Sequence, residues 1–387
     1  MGMESLANSI VWDVIPGLAM VLMEGITVGL TIMTKTVMAR GMSPFVFIAY
    51  TNILSTLILL PSFFFFHRPQ KPFLTFSLLS KFFFLGLIGV TLAQNFAFMG
   101  LSYSSPIVVA TMANQLPGFS FLLSMGLRCG QVGFRRSSTQ AKSIGTVVSI
   151  VGAVFVATYK GSTLWKPSTY QLFLSSSPRP LFLFGSTPES WVLGCILLAI
   201  ATLCASVWNI IQVKTVKEFP EPTTIVTLYS LFGTIQCVII SVIAERDPSA
   251  WLITDKMELS NILLSAFFGS IVRSTVQGWC MRTKGPLFIA MFKPFTVFIA
   301  VSFGFMFFGH TFHFGSVIGS FIAAMGYYCS MWGQVKEVEE NQIGQHQNGS
   351  SSHASSSSKS YGDNDQSSVT IKTPLLQDPH RVQHEEV

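Results

Sequence analysis

Glu24, Arg273 and Lys293 each lie within a stretch of this chain that is otherwise long and apolar. A charge at the centre of a bilayer costs about 3 kcal/mol even on insertion scales, so such residues face a polar path, a pocket or a partner. A buried carboxylate can meet an ammonium or exchange a proton, and a buried lysine or arginine can meet a carboxylate. One group of each sign suits a zwitterion such as an amino acid, or a lone organic anion if Glu24 takes a proton. The alternative is a Glu24–Lys293 or Glu24–Arg273 pair that only staples helices together.

Neutral polar residues in the same stretches fall at helical spacing. Glu24, Thr27, Thr31 and Thr34 share one face; so do Thr91, Gln94 and Asn95, and Thr111, Asn114 and Gln115. Thr202, Ser206 and Asn209 form a fourth stripe, and Ser270, Arg273, Ser274 and Gln277 a fifth. Residues at these intervals line one side of a helix, and lipid cannot hydrogen-bond them, so the stripes face inward. Serine and threonine commonly bond the preceding turn, whereas asparagine and glutamine serve equally as interhelical glue or as donors to a solute. The candidate binding or coupling set is therefore Glu24, Lys293, Arg273, Gln94, Asn95, Asn114, Asn209 and Gln277. Pro117 and Pro294 fall inside helical stretches, where a proline frees a carbonyl and permits a bend, as a tolerated kink or as a gate. His310 and His313 lack carboxylate or thiol partners in sequence and read as an interfacial pair. Six cysteines show no CxxC spacing, so no metal is expected.

The elements that must position these groups are membrane helices. Half of the 387 residues are hydrophobic and only 11% are charged, with 35 Phe. A soluble domain carries about a quarter charged residues. Ten apolar spans can be read, at 14–34, 43–64, 80–100, 105–126, 141–159, 191–212, 224–244, 262–281, 286–308 and 314–333. Most reach the roughly 20 residues that cross the hydrocarbon as helix, and no barrel-like alternation is present. The net charge of +6 comes from inter-span loops without an aromatic-interleaved basic patch, which argues against nucleic acid. Residues 1–13 hold no Lys or Arg, so no cleavable signal is expected.

Loops after the even-numbered spans carry eleven basic residues against seven on the other side, where Glu245, Asp247, Asp255 and Glu258 dilute them. The positive-inside rule then puts both termini in the cytosol. The chain also repeats itself. Lys35-Thr36-Val37 recurs as Lys214-Thr215-Val216, Gly89 and Pro106 recur as Gly269 and Pro286, and Ile144-Gly145 and Gly152 recur as Ile318-Gly319 and Gly326. Two five-span halves must enter the membrane with opposite orientation, and inverted repeats of this kind bracket a midplane site. The expected organisation is an all-α integral membrane protein: a cytosolic N-terminus (1–13), repeat 1 (14–159), an extracytosolic loop (160–190), repeat 2 (191–333) and a Ser-rich disordered cytosolic tail (334–387).

Several local motifs resemble plant drug/metabolite exporters. They are Gly41-Met42-Ser43-Pro44, Ser105-Pro106, Gln140-Ala141-Lys142 before Ile144-Gly145-Thr146, Tyr159-Lys160-Gly161, Pro248-Ser249-Ala250-Trp251 and Lys284-Gly285-Pro286-Leu287-Phe288. The resembled proteins are built of tandem EamA domains and are also called nodulin-21-like, Walls-Are-Thin-related or UMAMIT transporters. The resemblance implies a ten-helix carrier with two inverted EamA repeats, moving small organic solutes. Family members are associated with amino-acid efflux, and one branch with auxin. Met291-Phe292-Lys293-Pro294 looks like the branch carrying a lysine in the ninth helix. Where many relatives have an acid before the last helix, this chain departs from the pattern with Gly309-His310, which puts a coupling role for that position in doubt. The plasma membrane is favoured over vacuolar or ER membranes. The expected partners are the lipid bilayer and a solute such as an amino acid; no cofactor is expected, and no nucleotide-binding glycine loop is present. A membrane-embedded enzyme would need a His and Asp cluster, and a receptor a soluble domain; neither is seen in the sequence.

Overall fold

The computed structural model describes residues 2–66, 76–126, 137–159, 188–218, 222–253, 255–303 and 314–356. His310, His313 and most of the 160–190 loop lie outside the described residues. The described chain is helical, without a strand. The helices are α1 (Gly2–Ala39), α2 (Pro44–Phe66), α3 (Phe76–Leu85), α4 (Ala93–Tyr103), α5 (Pro106–Ala113), α6 (Leu116–Gly126) and α7 (Ser137–Thr158). They continue with α8 (Pro188–Glu218), α9 (Pro222–Ala244), α10 (Lys256–Phe267), α11 (Arg273–Lys284), α12 (Pro286–Met291), α13 (Phe295–Phe303) and α14 (Phe314–Ser356). Two turns need a left-handed glycine: Gly41 (φ 117°) lets α1 fold back into Pro44, and Gly285 (φ 87°) ends α11 before Pro286 opens α12.

Among the described residues, eight stretches are long and apolar enough to cross a bilayer, against the ten read from the whole sequence. They are Val14–Ala39, Pro44–Pro61, Phe76–Tyr103, Pro106–Gly126, Ser137–Thr158, Ser190–Val216, Thr224–Ala244 and Lys256–Lys284. The expected ninth span coincides with α12 and α13, whose apolar part, Leu287–Phe303, is shorter and broken. The expected tenth falls on the first part of α14, where Gly, Ser and Tyr alternate with apolar residues. Past residue 333, where the tail was expected to begin, α14 continues through good helix formers such as Lys336, Glu337, Glu339 and Glu340. Residues up to Val338 form one compact unit, and Glu339–Val387 a second.

Four helices are interrupted, in two matching pairs. A π-helical turn, Gly86–Leu92, joins α3 to α4, and another, Phe268–Val272, joins α10 to α11. Such turns insert extra backbone into a helix and gather at functional sites. At the repeat shift of 180, residues 86–92 overlie 266–272. The second pair consists of complete breaks, at Asn114–Gln115 between α5 and α6 and at Phe292–Pro294 between α12 and α13. The same shift places Ala113 on Lys293 and Asn114 on Pro294.

Helices of the two halves interlock. On α2 and α9, Thr56 and Thr234 share a hydroxyl hydrogen bond of 2.7 Å. The helix bearing Gly100 lies against α8, with Gly194 O 3.0 Å from where a Gly100 Cβ would sit. α7 and α14 run antiparallel with their backbones touching. A Cβ on Gly145 would lie 2.8 Å from Gly326 O and one on Gly326 2.7 Å from Gly145 O; Gly152 and Gly319 repeat this relation at 2.7 and 2.8 Å. Small residues at such crossings let membrane helices pack where no hydrophobic effect drives them together.

Candidate functional site

Glu24 lies near the middle of the first span, Val14–Ala39, and is 2% exposed. Its Oε1 accepts a hydrogen bond of 2.6 Å from Lys293 Nζ. The lysine sits in the break between α12 and α13, so the chain bends where the ammonium must reach across to α1. The two side chains differ in exposure, 3% for Glu24 and 30% for Lys293. Glu24 Oε2 is buried and has no partner among the described residues, so the carboxylate keeps an acceptor in reserve. Arg273, at the start of α11, is near enough for its charge to act on Lys293, and Tyr327 near enough to feel Glu24. The set thus holds one negative and two positive groups.

Apolar clusters bracket the pair along α1. One turn before Glu24, Met20 packs with Cys280 and Ile289, edged by Trp279, Phe288 and Phe292. One turn after it, Val28 joins Ile32, Ile107, Ala110, Val297 and Ala300. In this low-dielectric setting the charges depend on each other.

The other polar candidates divide. Gln94 Oε1 accepts from Asn52 Nδ2 at 2.7 Å, and Thr91 donates to Gln236 Oε1 at 3.0 Å, forming a polar seam between α2, α9 and the Gly86–Leu92 turn. Asn95 Nδ2 donates to Thr91 O at 2.6 Å, leaving its buried Oδ1 unpartnered among the described residues. Asn114 is buried at the α5/α6 break, and its Nδ2 is likewise without a partner. Neighbouring Gln115 donates to Ser149 O at 3.1 Å. Asn209 and Gln277 are half-buried, with no hydrogen bond among the described residues. The hydroxyl stripes largely turn inward on their own helices: Thr27, Thr31 and Thr34 donate to the carbonyls of Met23, Thr27 and Leu30, each at 2.8 Å. Pro117 and Pro294 are both buried at the interruptions, Pro117 as the second residue of α6.

Two residues at the site were not singled out from sequence. Tyr327 and Tyr328 on α14 send their hydroxyls to the carbonyls of Ala290 and Met291, at 2.8 and 3.2 Å, beside the Lys293 break. The signal lay in Pro294: a proline that removes a donor inside a membrane requires another donor nearby. Among the described residues no group of three His, Cys, Asp or Glu could hold a metal ion.

Residues 15–158 and 192–332 each match the EamA-like transporter family. Two WAT1-related proteins of Arabidopsis thaliana are 44% identical over 335 residues and 45% identical over 344. These alignments cover 85% and 86% of this chain and 89% and 90% of the relatives. The Arabidopsis protein WALLS ARE THIN 1 is 32% identical over 312 residues, 80% of each chain. With eight helices among the described residues able to cross a bilayer and matches to one transporter family over both halves, the chain is a multi-pass membrane protein and belongs to the EamA-like transporter family, alongside its WAT1-related members.

Proposed function

We propose that the protein is a ten-span secondary carrier that exports a small organic solute, an amino acid, by alternating access around Glu24 and Lys293. The observation that carries this reading is the buried ion pair at mid-span, set in a broken helix and holding an unused carboxylate oxygen. A zwitterion inserts between the two charges. Its carboxylate takes Lys293, with Arg273 behind it, while its ammonium takes Glu24 through the spare oxygen. One internal pair is thereby exchanged for two, and the net charge of the site is the same empty and loaded. Gln277 and Asn114 supply hydrogen bonds to the rest of the solute, with Asn95 and Asn209 further along the path.

The inverted arrangement is supported by the matched π-helical turns, the matched breaks and the reciprocal glycine crossing of α7 with α14. In that arrangement the two halves exchange conformations, and the apolar clusters on either side of Glu24 open in turn. Both termini face the cytosol, and the plasma membrane is the site of export.

The test is efflux of a panel of radiolabelled amino acids, with auxin as a separate arm, from oocytes at two external pH values. Glu24→Gln and Lys293→Gln are expected to abolish most flux at unchanged surface amount, and Glu24→Gln to flatten any pH dependence. Wild-type rate and pH response in both variants would sink the proposal, and flux of auxin alone would move the substrate to that class.

A further inference from the structure

The break that carries Lys293 leaves Met291 O without a backbone donor and Ala290 O with only a bond from three residues on. Pro294 has no N–H for Ala290 O, four residues back. The next amide, Phe295 N, turns to Phe292 O at 3.1 Å and so abandons Met291 O. Lys293 N reaches Ala290 O at 3.2 Å, and Thr296 N and Val297 N likewise bond three residues back. The backbone is therefore tightened from Ile289 to Val297, with Met291 O left outside that pattern. In a membrane such a group costs several kcal/mol if nothing answers it.

Two adjacent residues of α14 donate here: Tyr328 answers Met291 O at 3.2 Å, and Tyr327 gives Ala290 O, which keeps the Lys293 amide, a second donor at 2.8 Å. Tyr327 is almost wholly buried, and the two rings meet edge to face at 6.1 Å. The matching break in the first half is held differently. There Met112 O accepts from Thr202 of α8 at 3.2 Å, and the residues 174 before the tyrosines are Ala153 and Val154. Ala113 stands where the second half has Lys293. The paired hydroxyls thus occur on the half that carries the lysine.

We propose that Tyr327 and Tyr328 are positioning residues for Lys293: their hydroxyls replace the donors that the proline break removes and hold the lysine where its ammonium reaches Glu24. The proposal rests on the reading of Glu24 and Lys293 as the solute site, and its test separates the two.

Tyr327→Phe and Tyr328→Phe are made in the full chain, alone and in the neutral background Glu24→Gln/Lys293→Met, and melting midpoints are compared in detergent. Tyr327→Phe is expected to lower the midpoint clearly in the wild-type background and by less than half as much in the neutral one, because its cost includes a weakened ion pair. Equal shifts in the two backgrounds, or none in either, would overturn the proposal. Should Tyr327→Phe fail to fold, Tyr328→Phe is read by the same criterion. Amino-acid efflux supplies the second readout: KM rises about fivefold, the loss expected for one hydrogen bond, with the maximal rate per folded transporter unchanged. A lowered maximal rate at constant KM would count against positioning. If the wild type moves no amino acid, the substrate assignment falls and the melting comparison alone decides the role of the tyrosines.

Discussion

Removing one member of the Glu24–Lys293 pair strands the other in an apolar sleeve. Breaking a buried pair from one side costs roughly 3–5 kcal/mol, whereas replacing both partners by neutral groups of similar size is often tolerated. Lys293→Met strands Glu24, which is almost wholly buried, so its cost lies at the high end. Lys293→Met alone is therefore expected to lower the melting midpoint more than the double variant Glu24→Gln/Lys293→Met, although neither transports. A double variant no more stable than Lys293→Met would show that the pair is not energetically coupled. At the edge of the bundle, Asp255 caps α10 and accepts from Met257 N at 3.1 Å and from Arg40 at 3.0 Å. The Met257 amide first, then Arg40, holds this carboxyl below its usual range. A depressed carboxylate stabilises the fold above its unfolded pKa and loses that contribution as pH falls through the lower, folded value. Asp255→Asn keeps a capping acceptor and removes this acid dependence. Melting curves of wild type and variant should differ at neutral pH by a small amount, as for exposed pairs, and converge in acid.

The α7–α14 crossing has no side chain between its backbones at Gly145, Gly152, Gly319 and Gly326. Gly326→Ala places a methyl 2.7 Å from Gly145 O and closer still to Ser149 N, so the helices must part. Overpacking of this kind costs about 1–3 kcal/mol or more, and the loss should appear as reduced yield of folded protein in size-exclusion profiles. Gly278→Ala, on α11 with open space around it, is the contrasting variant and should leave the profile unchanged. Sequence already carried much of this level: eight of the ten expected spans coincide with helices able to cross a bilayer, and the repeat matched Gly145 with Gly319 and Gly152 with Gly326. Glu24 and Lys293 stood out because charge in lipid is costly wherever it occurs. The partner of Gln94, the π-helical turns and the tyrosines were not legible. Each depends on a contact from a helix distant in sequence: Asn52 lies 42 residues from Gln94, and Tyr327 lies 37 from Ala290.

Across Met1–Val338 the two halves do not stand side by side as separate bodies. α2 packs on α9, the α3–α4 helix on α8 and α9, and α7 on α14, so apolar and polar surface of each half is completed by the other. The three charges are unevenly shared, with Glu24 on the first half and Arg273 and Lys293 on the second. At the repeat shifts their counterparts are Leu203, Ala93 and Ala113, all apolar. The architecture is duplicated while its polarity is not. Positions matched by the repeat therefore carry unlike chemistry, charged at one copy and apolar at the other. On the proposed carrier reading, a solute would be gripped at the charged set alone, and its greasy counterparts would be free to slide past as the doorway changes sides.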